Sequence, residues 1–324
     1  MLFKNAFHLL IDNFSLNYKF LLYKIIISVV CVGLAAALIV PNVAFIFSSE
    51  EFSSLVVLIK DFLRALVSGN TEFLNGFPSE FSSGIAALGR LISAETGRLV
   101  FVVVSAVVVL LLFRFLSGMG NFVLGGLIDD KMSSYAKTPF SSAYIKNLGK
   151  AALWQLIYVP VTFVYDVAVL ALCYVFFLIL LNIISFAVVA TAAALMLSVA
   201  LFLVSQAVKL TVFNSMVPAL VSDQCKLSAA FRKGFSQCRG NFGTLFSTYL
   251  VTCLLILCLG VGGAFCSFGA ALLLVVPMSF VMLVCIQFVS YYTFEKKKYF
   301  LAEDKIVKPK EAKEQENFYD DFEL

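Results

Sequence analysis

Six long apolar runs set the rhythm of this chain. A hydrocarbon core of roughly 30 Å takes about 20 apolar residues in a helix. Residues 25–47, 99–117, 153–181, 186–207, 245–263 and 267–292 meet that length and predict six spans. The stretch from Leu153 to Gln206 is too long for one helix, and Asn182 to Ser185 predict the turn that divides it. Gly260, Gly262, Gly263 and Gly269 predict a tight turn between the last two spans.

Between the runs the pattern turns amphipathic. Phe3, Phe7, Leu10 and Phe14 recur at helical spacing, with Lys4, Asn5, Asp12 and Asn13 elsewhere on the wheel. This predicts a helix lying on the inner leaflet. Residues 48–97 carry two more stripes: Phe52, Leu55, Val56, Ile59, Leu63 and Leu66, then Phe81, Ile85, Leu88 and Ile92. Gly76 and Pro78 predict the break between them. Two such helices suit the outer leaflet, the cap of a bundle or the cover of a cavity.

Composition narrows the class. The chain is 61% hydrophobic and only 14% charged, where soluble domains run at about 45–50% and about 25%. That excludes a soluble globular, disordered or disulfide-rich secreted protein. The expected fold is an all-α polytopic membrane bundle over residues 1–294. The Lys- and Glu-rich residues 295–324 predict a disordered cytoplasmic tail.

The net charge of +4 is too small and dispersed for a nucleic-acid partner. Its distribution is informative. Lysines and arginines crowd the N-terminal stretch, the second-to-third and fourth-to-fifth connectors and the tail. The long first-to-second connector holds only Lys60, Arg64, Arg90 and Arg98. By the positive-inside rule this is a multi-pass cell-membrane protein with both termini in the cytoplasm. The charged leader up to Lys24 makes the first span an uncleaved anchor.

The two basic connectors resemble each other. Asn121, Gly125, Gly126, Leu127, Ile128 and Asp130 align with Asn214, Pro218, Ala219, Leu220, Val221 and Asp223. Ala143, Tyr144, Lys146 and Leu148 align with Ala230, Phe231, Lys233 and Phe235. Each copy reads as a span, an acidic turn, a basic interfacial elbow helix and a returning span. The copies run the same way, a parallel internal repeat of a kind that some transporters share. The elbow residues Lys146, Lys150, Arg232, Lys233 and Arg239 are candidate contacts for anionic lipid at the inner leaflet.

Met216-Val217-Pro218-Ala219-Leu220-Val221, followed by Ala229-Ala230-Phe231-Arg232-Lys233 and Gly240-Asn241-Phe242-Gly243, resembles the membrane domain of some bacterial glycerophosphoryl diester phosphodiesterases. It is also similar to stand-alone bacterial membrane proteins related to that domain. The resemblance centres on residues 208–294 and implies an all-helical membrane domain. It implies no activity, because the phosphodiesterase chemistry belongs to a separate soluble barrel for which this chain has no room.

Chemistry is sparse. The single histidine, His8, has no ligand or base partner nearby in sequence, and there is no phosphate-binding loop. The eight cysteines include no C-x-x-C. Gly118-x-Gly120 and Gly125-Gly126 read as close helix packing. No cofactor is expected, and the chain reads as non-enzymatic.

Asp166 is the one acid set well inside a span. If Trp154 marks the inner interface, Asp166 lies about 18 Å deeper, near the midplane. An acid there is a candidate polar or transport site, or else a carboxyl paired across the bundle. Ser198, Ser205 and Gln206 are its candidate neighbours, while Arg114 and Lys209 are expected to snorkel to head groups. The leading expectation is an accessory or scaffold subunit of a membrane or envelope-lipid assembly. Its partners would be anionic lipids and a second membrane protein or another copy of the chain. A transporter or lipid-translocating protein using Asp166 is the alternative, and a membrane-embedded enzyme the third.

Overall fold

A computed structural model describes residues 2–184 and 187–308. The chain is an all-α membrane protein whose six long apolar helices are long enough to cross a bilayer. The helices are α1 (Leu2–Asp12), α2 (Ser15–Phe47), α3 (Glu50–Ser68), α4 (Thr71–Ala94), α5 (Thr96–Ser134), α6 (Phe140–Ile183), α7 (Ala187–Phe213), α8 (Met216–Ser222), α9 (Leu227–Ser267) and α10 (Leu272–Phe294). A hairpin follows, β1 (Tyr299–Ala302) with β2 (Lys305–Val307). Two compact units emerge: Met1–Ile25 with Arg114–Leu324, and Ile26–Phe113.

In the larger unit α10 is the central helix. In its most apolar stretch 44% of residues are buried, against 6–11% in the other spans. From Val281 to Tyr292 nearly every side chain is enclosed. The packed core gathers at this end, where α10 meets the lower half of α5, the short α8 and α1. We call it the connector end, because the loops after α5 and α7 lie there. Toward the α9–α10 turn the helices instead present apolar side chains outward, as lipid-facing helices do.

Several elements differ from the sequence expectation. The N-terminal helix α1 buries Leu2, Ala6, Leu9 and Leu10 against protein, packing on α10 and β1. Asn5 donates to the Tyr299 hydroxyl at 3.0 Å. Of the expected stripe only Leu10 is buried: Phe3 and Phe14 are half-buried and Phe7 is exposed. The expected disorder from residue 295 is replaced over Tyr299–Val307 by an antiparallel hairpin. Tyr299 and Leu301 alternate inward into the core, a period-two signal hidden in a charged run. Residues 309–324 of that expected tail lie outside the described residues.

The two expected elbows differ from each other. In the first copy the basic segment continues into the span as one helix, α6; in the second, α9 kinks at Asn241 (φ −129, ψ 21). Both connectors do hold a left-handed residue, Tyr135 (φ 54) and Gln224 (φ 52). Of the glycines expected in the last turn only Gly269 (φ 90) is there, and α9 runs on through Gly260, Gly262 and Gly263. The α6–α7 junction falls where Asn182 predicts it; Ser185 lies outside the described residues.

The smaller unit holds the α3–α4 hairpin. Its break comes at Gly69 (φ 70), whose N–H bonds back to Ala65, and not at Gly76 and Pro78, which α4 carries within it. Ser49 and Asn70 cap the two helices by accepting from Phe52 N and Phe73 N. Phe62, Phe77 and Phe81 stack between them, with Leu55 tucked against Gly84.

Candidate functional site

Asp166 is buried on α6, and cations from two other helices converge on it. Lys209 of α7 meets Oδ1 at 2.8 Å and Arg114 of α5 meets Oδ2 at 2.8 Å. Gln206, one turn from Lys209, donates to Oδ1 at 3.3 Å. Arg114 and Lys209 therefore do not snorkel; the carboxylate captures both. Of the expected neighbours, Gln206 touches Asp166. Ser205 instead offers its carbonyl to the Tyr165 hydroxyl at 2.8 Å, and Ser198 its carbonyl to the Cys173 thiol.

The position of this triad follows from helix lengths. Trp154 is no interface marker: it is 2% exposed and enclosed by Tyr158, Phe213 and Phe231. Counted from the far helix ends, Asp166 lies about 26 Å from Ile183 and Lys209 about 33 Å from Ala187, at roughly 1.5 Å per residue. Both approach a full hydrocarbon thickness. Counted along α6 and α7, the triad therefore stands well away from the junction between these two helices.

Lys209 and Gln206 also line a cavity of about 630 Å³. Its walls come from α5, α6, α7, α8, α9 and α10. Polar groups collect toward the connector end: Asn121, Gln155, Gln206, Lys209 and Gln287. The far end is apolar, with Leu257, Gly260, Leu272, Val275 and Val276. Phe202, Leu257 and Val276 of this lining are exposed. Such a lining, polar groups among aromatic ones at one end and aliphatic side chains at the other, suits an amphiphile.

Two carboxamide oxygens of these residues lack partners. Gln155 is 3% exposed and its Oε1 receives no hydrogen bond; Asn121 Oδ1 is likewise buried and unpaired. Gly118 makes room for Gln155, since a Cβ there would overlap the carboxamide. Sequence reading reached Asp166 but not these two. Their signal was present, as carboxamides inside or beside apolar runs.

The basic segments divide. Lys146, Lys150, Arg232 and Arg239 are exposed, with Lys150 bonded to Gln224. Lys233 is committed to protein, pairing with Asp223 and Glu295 at 2.6 Å each. Lys297 and Tyr291 also reach Asp223. Burial pushes the Asp223 carboxyl up, but bonds from Lys233, Lys297 and Tyr291 outweigh it and hold it at about 2. This knot ties the second connector to the end of α10.

In comparisons by sequence and by structure, no protein-family model, curated protein or solved structure matches the chain.

Proposed function

We propose that this protein is a non-enzymatic membrane subunit that holds a lipid-like amphiphile, serving as an accessory or scaffold component of a membrane or envelope-lipid assembly. The cavity carries the reading. Its polar end and apolar far end suit a molecule with a head group and a chain. The positive-inside distribution turns the connector end toward the cytoplasm. The head group then sits at the inner-leaflet level, where exposed Lys146, Lys150, Arg232 and Arg239 meet anionic lipid.

A lipid-translocating protein is the second reading, favoured by the same lining. The triad speaks against Asp166 as its moving part, because both carboxylate oxygens are already occupied by cations. Extraction of the full chain from its native membrane in mild detergent, followed by mass spectrometry of protein and lipid, tests the leading reading. A reproducible protein partner and a co-purifying lipid are expected. A solitary chain free of lipid contradicts it.

A further inference from the structure

We infer that the α3–α4 hairpin is a membrane-surface element. Its uncovered apolar side lies flat on the lipid of the non-cytoplasmic leaflet, held by apolar contact rather than by charge.

The hairpin's own packing uses only part of its apolar surface. Phe62 and Leu55 of α3 meet Phe77 and Gly84 of α4. Successive residues advance by about 100° around a helix. Ile59, Leu63 and Leu66 therefore stand beyond that contact in the direction of chain rotation, as Ile85 does on α4. Antiparallel packing brings these two flanks to one side of the hairpin. The four side chains form one apolar face and are 42–56% exposed, and Val67 at its edge is 92% exposed. Ser54, Asp61, Ser83 and Arg90 belong to the opposite side. A two-helix plate with one apolar and one polar side is built for an interface between lipid and water.

Continuity with the spans identifies what covers the face. Ser48 and Ser49 alone join α2 to α3, and Glu95 alone joins α4 to α5. Links so short hold both ends of the hairpin within about 10 Å of the span ends. Phe47, the last residue of α2, is exposed on that span and meets the Phe52 ring edge-on at 5.1 Å. Phe52 lies on the same flank of α3 as Ile59 and Leu63. The outward apolar surface of α2 thus runs directly into the face of the hairpin. Because that face extends from Phe52 to Leu66, nearly the length of α3, a hairpin lying flat covers it and an upright one leaves it in water. Charge selects the kind of lipid. Glu50–Ala94 holds five acids and three bases, a balance that gives anionic head groups no attraction. A neutral lipid surface is sufficient, and the positive-inside distribution places it in the non-cytoplasmic leaflet.

Tryptophan fluorescence in vesicles tests this. The full chain is reconstituted in phosphatidylcholine brominated on its acyl chains, as Leu63→Trp, Ile85→Trp and Ser83→Trp. Wild type, whose one tryptophan is Trp154, supplies the baseline. Beyond that baseline, Leu63→Trp and Ile85→Trp should be quenched at least about twofold more than Ser83→Trp, most strongly by bromines about 5–10 Å below the head groups. Adding phosphatidylglycerol should leave the quenching unchanged. The two face variants lie on different helices, so misfolding of one leaves the other as the test. Equal bromine quenching at all three positions, with aqueous iodide on both sides of the membrane reaching each of them, overturns the inference in favour of a hairpin standing in water. Shielding of the two face positions from both quenchers overturns it in favour of a protein cover. Quenching that appears only with phosphatidylglycerol overturns the neutral-lipid assignment.

Discussion

At the scale of single residues, Asp166 shows how a buried charge is accommodated. Removing its charge leaves Lys209 and Arg114 facing each other without compensation, so Asp166→Asn should destabilise the protein by about 3–5 kcal/mol. Arg114→Gln leaves a balanced Asp166–Lys209 pair and should cost about 1 kcal/mol or less. Thermal unfolding in detergent distinguishes the two; equal losses would contradict the charge count. Asp223 gives a pH prediction. Its carboxyl is held near 2, below the ordinary value of about 3.9. Its contribution is therefore complete above about pH 4 and is lost as pH falls toward about 2. In Asp223→Asn the melting temperature should fall less over that window than in wild type. Asp166 and Gln206 were legible because polar residues stand out in apolar runs. Arg114 and Lys209 were not legible as its partners: cations at span ends satisfy the head-group expectation equally well, and nothing local encodes a contact between helices.

Among elements, close approach decides more than propensity. A Cβ at Gly125 of α5 would lie 2.9 Å from the Phe288 ring of α10. Gly125→Ala should therefore cost about 1–3 kcal/mol by overpacking. At Gly149 of α6 a Cβ meets nothing within 4 Å. Gly149→Ala should be neutral or stabilise by up to about 1 kcal/mol, since alanine favours the helix. Denaturant unfolding of the pair checks both signs. The reading of Gly125-Gly126 as packing glycines thus has a partner in Phe288. All six spans were visible in the sequence because each run is about as long as the hydrocarbon core is thick. Their extensions were not: α5, α6 and α9 continue as helix well past the apolar run into polar segments. Hydropathy marks where lipid begins, while hydrogen bonding sets where a helix stops. The amphipathic character of α1 was likewise visible, but its buried face was not: Leu2, Ala6 and Leu9 pack on protein while Phe7 stays exposed.

For the whole molecule, the apolar composition has two destinations. Part forms a packed core at the connector end around α10, and the rest faces outward along the spans. The cavity lies between these regimes, with carboxamides and a lysine at one end and aliphatic side chains at the other. No sequence pattern announces it, because its walls come from helices distant in the chain. Met216–Val221 falls in α8, a short buried helix in that core. The central claim is occupancy of the cavity by one amphiphile. Native mass spectrometry of the full chain released from detergent measures it directly, compared with Gly260→Leu. Gly260 lines the cavity, and a Cβ there meets no neighbour within 4 Å, so a larger side chain has open space at its root. The wild type should retain a single lipid-sized adduct through collisional activation that strips detergent, and Gly260→Leu should lose it. A bare wild-type chain, or an adduct of equal abundance on both proteins, would contradict the account.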